Sequence, residues 1–457
     1  MIYDVIVVGG GIAGAVAAIA SARTGANTLL VEQYGFLGGQ LTTAGVGPMM
    51  TFHAGEKLAV QGITDELIRR MQEHGKSPGH IYDTTGYTYS VTPFDAEGMK
   101  HELEMMLLES GGRILYHTML AGVETENGRI TAIRICNKAG ISELQAKVFV
   151  DGSGDADLSA WAGVEFIKGR QLDGACQPMT MNVKVRNVDI AKVKDYIKAH
   201  NEEFPRLKGD LEIVDRSPRL SIGGFVVTFQ EALDKGELNF ERKELLLFET
   251  NNPGEVIVNS TRVVGRDGTD PWDLSYAEIE GRRQVREIET FLKKRVAGFE
   301  ECIIDYSGPK IGVRSSRHIQ GEYVLTLEDL VHCVRFDDVI AHGGYPVDIH
   351  PPKEDEAHKK LRAQISGIGH FRKGETYSIP FRSLINRQVK NLITVGRCIS
   401  TTFEAQGAIR VTPIAGAIGH AGGAAAGLAA RQEADFTALD VKAVQALLQE
   451  QGAYLEV

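Results

Sequence analysis

The chain has 457 residues, long enough for two or three domains, and its composition is that of a globular protein except for 51 glycines. Its net charge of −10 argues against nonspecific nucleic-acid binding and against a basic membrane-docking face. The five cysteines form no C-x-x-C pair, which removes iron–sulfur, zinc-ribbon and dithiol readings, and their odd number suits a reducing cytoplasm.

Ile2–Val8 reads as a buried strand, followed at once by Gly9, Gly10, Gly11, Ile12, Ala13 and Gly14. A helix follows, then a second strand ending at Glu32 and Gln33. Strand, G-x-G-x-x-G turn, helix, strand and acid are the elements that lay an adenine dinucleotide across a parallel sheet. Gly9 permits the tight turn, Gly11 lets backbone approach a pyrophosphate, and Gly14 lets helix pack on sheet. N–H groups at the start of the helix, from Ile12 and Ala13, aim at phosphate. Glu32, with Gln33 beside it, is placed to bind ribose hydroxyls.

The loop Gly38, Gly39, Gln40, Leu41, Thr42 follows the Glu32 strand. Ligands in doubly wound sheets sit beyond the carboxyl ends of the strands, so this loop is expected over the ribityl chain and ring of a flavin. Helices are expected over 62–74 and 93–110, the second opened by Asp95, and strands over 113–117, 121–126 and 130–136. Asn127-Gly128 is a hairpin turn, so the last three strands read as a β-meander. Phe149-Val150 enters a second glycine turn with Gly152, Gly154 and Asp155. The stretch 176–376 alternates strands with irregular segments and one charged helix, 274–294. His350 to Glu356 reads as a solvated loop. Near Asn391 a short buried strand ends at a third glycine turn, Gly396-Arg397. Gly407, Arg410, Val411, Pro413 and Ile414 then lead into an Ala/Gly-rich helix, with Thr412 as its N-cap. That helix start is expected to stabilise negative charge on a reduced flavin. Its apolar run, 411–430, suits a buried helix better than a membrane span.

The expected architecture is α/β: a Rossmann-like FAD-binding domain with an inserted α+β substrate domain. The first part of the FAD-binding domain spans 1–175, with its meander near 113–136. The insert spans 176–376, the second part 377–432, and a C-terminal helix 433–457. No metal site is read. Arg314, Arg317 and His318 lie in Gly312–His318 and look like a set for carboxylate binding and proton transfer, with a solvated basic cluster as the alternative. His53, about ten residues past the flavin loop, is the other candidate acid or base.

Several motifs occur in order: GGGIAG with Glu32, FLGGQLT (36–42), DGSGDADLSAWAG (151–163), DGTDPWDLSYAEIEGRRQ (267–284), GVRSSRHIQGEYVLT (312–326), YSIPFRSL (377–384), and GRCIS with TPIAGAIGHAGGAAAGLA (396–429). As a set they resemble the bacterial FAD-dependent oxidoreductase family of the glutathione-reductase-like superfamily. The chain is distantly similar to fumarate reductase and succinate dehydrogenase flavoproteins, and to the flavoprotein that modifies the tRNA wobble uridine. The resemblance implies FAD rather than NAD at the first glycine turn. It implies that Arg314 or Arg317 clamps a carboxylate beside the flavin. Two departures stand out. The last strand ends in Gly396-Arg397 where many relatives carry an acid, and the tRNA modifier's C-terminal helical domain has no counterpart. The function expected is hydride transfer between flavin N5 and a small polar, carboxylate-bearing molecule, without nucleic-acid or membrane partners. A flavoprotein passing electrons to a protein partner, one that modifies nucleic acid, and a non-catalytic FAD-binding module are the alternatives.

Overall fold

The computed structural model describes residues 2–352, 355–368 and 374–456. Strand β1 (Ile2–Val8) runs parallel to β2 (Thr28–Val31), and β2 to an edge strand, β3 (Arg113–Leu115). A three-stranded meander follows, β4 (Met119–Glu126), β5 (Arg129–Asn137) and the first half of β6 (Gly140–Asp151). From Gln145 onward β6 pairs in parallel with β1, and on its other side with β7 (Leu392–Thr394). The α/β architecture is therefore a parallel sheet of sequence-distant pieces. The register aligns the strand ends, with Val8 opposite both Val31 and Asp151, so Gly9, Glu32 and Gly152 leave the sheet side by side.

The Asn127-Gly128 hairpin turn forms, with both residues at positive φ. The meander differs from expectation in membership. Residues 113–115 belong to the parallel sheet, and the third meander strand is Gly140–Leu144. That half of β6 exposes polar and apolar side chains alike, so its alternation is weak. Helices at Ile63–Glu73, Ala96–Glu109 and Pro271–Arg295 occupy the expected places, and Asp95 and Asp270 cap the last two. The C-terminal stretch carries a helix at Val441–Glu450.

A second core forms around an antiparallel five-stranded sheet, in the order 221–224, 245–249, 256–258, 183–186, 303–307. Met181, Phe229 and Phe291 are buried in it, and the helix Pro271–Arg295 packs on it. The stretch 176–376 does not lie wholly in this core. Leu325, Ile340 and Tyr345 pack into the first one, beside a hairpin of Val339–Gly343 and Tyr377–Pro380. Among the described residues no helix is long and apolar enough to cross a membrane.

Helix α1 (Ile12–Arg23) lies against the Ala/Gly-rich helix, here α3 (Thr412–Gln432), which follows the short α2 (Phe403–Ile409). The two approach backbone to backbone. A methyl group on Gly419 would stand 2.1 Å from the Ala13 carbonyl oxygen, and one on Gly423 would stand 2.0 Å from that of Ala17. Replacing a helical glycine by alanine ordinarily gains about 1 kcal/mol in helix propensity. Here overpacking, at about 1–3 kcal/mol, outweighs it. Gly423→Ala is therefore expected to destabilise, read as a lower urea midpoint. An unchanged or higher midpoint would refute the close contact.

Candidate active site

The first turn is built from backbone that side chains cannot enter. Gly9 has φ +96°, and a methyl group on it would meet the Gly152 carbonyl oxygen at 2.6 Å. A methyl on Gly14 would meet the Gly9 carbonyl at 1.9 Å. Helix α1 starts after Gly11 without a side-chain cap, so the first-turn N–H groups at Ile12 and Ala13 remain open to an anion. The Gly38-Gly39 loop lies on this turn, since Gly38 N–H donates to the Gly10 carbonyl at 2.9 Å and a methyl on Gly39 would meet Gly11 Cα at 2.6 Å. Glu32 is 6% exposed and accepts the N–H groups of Gly10 (2.5 Å) and Tyr34 (2.9 Å). Burial pushes its carboxyl up, and those N–H groups offset part of the shift. Gln33 is exposed beside it. Thr42 donates to the Leu37 carbonyl (2.7 Å) and Leu41 is buried, so both hold the loop, whereas Gln40 reaches the cavity described next.

A cavity of about 1340 Å³ opens beyond this edge, between the two cores. Gln40, Arg397, Val411 and Thr412 line one side. Helix α3 opens onto it with Val411 as an N-cap that makes no side-chain bond; Thr412 is the first helical residue rather than the cap, and Pro413 follows in the first turn. Ile414 is buried behind them. Gly407 does not reach the cavity. It lies inside α2, where a methyl would meet the Asp348 carbonyl oxygen at 3.0 Å, so its role is packing.

Of the candidates Arg314, Arg317 and His318, Arg314 alone lines the cavity among the described residues. Arg314 lines it and donates to the Pro178 carbonyl (2.5 Å) and Thr180 Oγ1 (2.6 Å). Arg317 turns away and donates to the Asp155 carbonyl and to Asp157 (2.7 Å). His318 is 1% exposed, with Thr401 Oγ1 3.3 Å from Nδ1 and no partner at Nε2 among the described residues. Burial pushes it down to about 4, and Arg397 adds to the shift. His53 is also outside the cavity lining. It bonds Ser90 (2.8 Å), faces His80, and is pushed down to about 4 by burial. Neither histidine is among the residues that line the cavity.

Asp155 carries the second glycine turn. Gly154, at φ +84°, lies under the Arg397 guanidinium, which follows Gly396 at φ +83°. Arg397 donates to Asp155 at 2.8 Å, and Ser316 bonds the same oxygen. Burial opposes charge on Asp155, but Arg397, Lys310 and Ser316 outweigh it and hold the carboxyl below its usual range. Arg397 Nε is buried without a partner among the described residues.

The cavity lining is rich in cations. Arg206, Arg242 and Arg262 line it with Arg314 and Arg410. Arg206 pairs with Glu244, and Arg410 with Asp348 (3.1 Å). Among the described residues Arg242 donates only to the carbonyls of Glu244 (3.3 Å) and Asn259 (3.4 Å). Burial, with Arg410 and Arg242 nearby, pushes Arg314 down to about 9. Burial pushes Arg242 down to about 10, against the pull of Glu244. His350 also lines the cavity, 3.3 Å from Asp348, so the run expected to be a solvated loop supplies site residues; Lys353 and Glu354 lie outside the described residues. Arg206, Arg242, Arg262, Asp348 and His350 carry no motif, and only the folded chain brings them together.

A parallel sheet with a glycine-rich βα turn, an acid on the next strand and a distant helix start at one cavity defines a dinucleotide-binding enzyme of the flavoprotein kind. The chain belongs to the FAD dependent oxidoreductase family, which it matches over residues 4–448. Digeranylgeranylglycerophospholipid reductase of Thermoplasma volcanium is 25% identical over 201 residues, 40% of this chain and 48% of that protein. Thiamine thiazole synthase of Aeropyrum pernix is 35% identical over 132 residues, 28% of this chain and 42% of that protein. The chain thus spans about half the length of the curated relatives it matches. Among solved structures it is similar to a geranylgeranyl bacteriochlorophyll reductase-like protein of Thermoplasma acidophilum, with 13% identity, TM-score 0.47, and 99% of this chain and 84% of that one covered. It is also similar to L-proline dehydrogenase of P. horikoshii, with 13% identity, TM-score 0.44, and 99% of each chain covered.

The donor set fits FAD. The side-chain-free cradle at Gly9–Gly14 and Gly38-Gly39 suits the pyrophosphate, Glu32 the ribose, and the α3 start the flavin ring. FAD supplies two-electron redox chemistry, and the protein supplies binding, orientation and charge.

Because the Asp155 carboxyl is held below its ordinary value of 3.8, its contribution to stability is complete above that pH and is lost as pH falls through the lower folded value. Arg397→Met strands a buried carboxylate and is expected to cost about 3–5 kcal/mol at neutral pH. Its acid limb should also be flattened or reversed, since an unpaired buried Asp155 is stabilised by protonation. Urea midpoints measured from neutral to acid pH read both effects. Curves that superimpose on the parent's would show that the pair carries no such weight.

Proposed function

We propose that this FAD-dependent oxidoreductase transfers a hydride between flavin N5 and a small polar substrate that bears a carboxylate. The observation that carries this reading is the pair Arg314 and Arg242. Both guanidiniums line the cavity, and among the described residues both donate only to neutral oxygens. Two such cations in a low-dielectric site call for an anionic ligand. The cavity's volume suits a small molecule rather than a nucleic acid or a membrane. The N–H groups at the α3 start lie across the same cavity, so the ligand and the flavin ring would share it.

On this reading Arg314→Met and Arg242→Met leave the flavin spectrum of the purified protein intact. Each should cost about 2–4 kcal/mol of ligand binding, roughly 30- to 1000-fold in kcat/KM or in the Kd of a carboxylate. Anaerobic titration of the holoenzyme with short carboxylic acids, followed by flavin absorbance, measures this. A spectrum that no carboxylate perturbs, in parent and variants alike, would sink the proposal.

A further inference from the structure

Resting on the carboxylate reading above, we propose that the electron donor is a 2-hydroxy acid, and that His350, held by Asp348, takes its hydroxyl proton. Three observations carry this. First, His350 lines the same cavity as Arg314 and Arg242. Its Nε2 lies 3.3 Å from Asp348 Oδ2, and its Nδ1 has no partner among the described residues. A neutral imidazole beside a carboxylate, with its other ring nitrogen unpartnered, can accept a proton there. Asp348 is itself held by Arg410 (3.1 Å) and by the Tyr345 hydroxyl (3.3 Å).

Second, the base and the carboxylate clamp are tied together through buried amides. His350 N–H donates to Gln177 Oε1 (3.1 Å), Gln177 Nε2 donates to Gln406 Oε1 (3.1 Å), and Gln406 Nε2 donates to the Arg314 carbonyl (3.0 Å). Gln177 and Gln406 are at most 1% exposed. A carboxylate and a hydroxyl on adjacent carbons need such a fixed pair of partners.

Third, the charge of the cavity selects hydroxyl over ammonium. Eight basic side chains line it against three acidic ones, and of the acids Glu244 and Asp348 already bind arginines. The cation of an amino acid would enter against that field, whereas a neutral hydroxyl does not. His350 suits the task in its neutral form. Burial pushes it down to about 4, Asp348 pulls it back up, and Arg314 and Arg410 add to the downward push. A carboxylate seated on the arginines offsets that last influence and makes His350 a better base. Besides these groups, Tyr87, Tyr345, Arg206, Arg242 and Arg262 face the same space.

The step balances. The C2–H and O–H bonds break. The C2 hydrogen leaves with its electron pair to oxidised FAD, the proton goes to His350 Nδ1, and C2–O becomes a carbonyl. The product is a 2-oxo acid and the cofactor is left two electrons reduced.

The test begins with binding alone. 2-Hydroxy-2-methylpropanoate has no C2–H to lose, and 2,2-dimethylpropanoate lacks the hydroxyl as well. Calorimetry on the holoenzyme should show the hydroxylated acid binding about tenfold more tightly, the size expected of one good hydrogen bond in a buried site. His350→Leu should erase that preference while leaving dimethylpropanoate affinity unchanged, and Arg314→Met should weaken both acids alike. Anaerobic mixing with lactate or malate should then bleach the flavin, and alanine should not. His350→Gln, with its flavin spectrum intact, should slow bleaching by about 10²- to 10⁴-fold and flatten its pH dependence. Equal affinities for the two probes, or bleaching by alanine in place of the hydroxy acids, overturns the inference and leaves the carboxylate reading standing. Failure of both probes to bind overturns the two together.

Discussion

Backbone pressed against backbone is the constraint on which the rest of the structure depends. Gly9, Gly14 and Gly152 meet where three parallel strands end in register, and Gly419 and Gly423 let α3 lie on α1 at a distance no side chain would allow. The same contacts fix the site. Removing side chains at the strand ends leaves N–H groups facing an anion, and seating α3 on α1 points its uncapped start into the cavity. A polymer segment 400 residues downstream is thereby locked to the first helix of the chain, and everything between has to fold as an excursion from that junction.

That geometry explains which features were legible in the sequence. The first turn is local: strand, glycines, helix and acid fall within about thirty residues, and each residue type has its own steric or electrostatic reason. Asp95 as a cap and Asn127-Gly128 as a turn are local for the same reason. The membership of the meander was not legible. The first half of β6 is too polar and too evenly exposed to stand out, and an edge strand of three residues is indistinguishable in sequence from a meander strand.

Of the cationic lining of the cavity, the sequence singled out Arg314 for a carboxylate, and Arg410 and Arg397 only for the cofactor. A cluster such as Arg314, Arg317 and His318 looks like one functional set when read along the chain. In the fold Arg314 enters the cavity, Arg317 turns to the Asp155 carbonyl and Asp157, and His318 is buried beside Thr401. The partners that do meet Arg314 come from positions 206, 242, 262, 348, 350 and 410. No spacing rule links them. His350 sits before two prolines in a charged run, a pattern that resembles a solvated loop until the buried amide chain from Gln177 pins it in place.

The crowding of guanidiniums has a consequence for the protein as a material. Arg242 and Arg314 line one cavity with further arginines, and those neighbours make charge on each of the two harder to bear. Mutual repulsion of this kind loosens the walls that carry it, and a bound anion relieves it. Occupancy of the cavity and cohesion of the two cores are therefore linked by mass action. An anion seated there, whether or not it is ever turned over, would tighten the hold of the second core on the first.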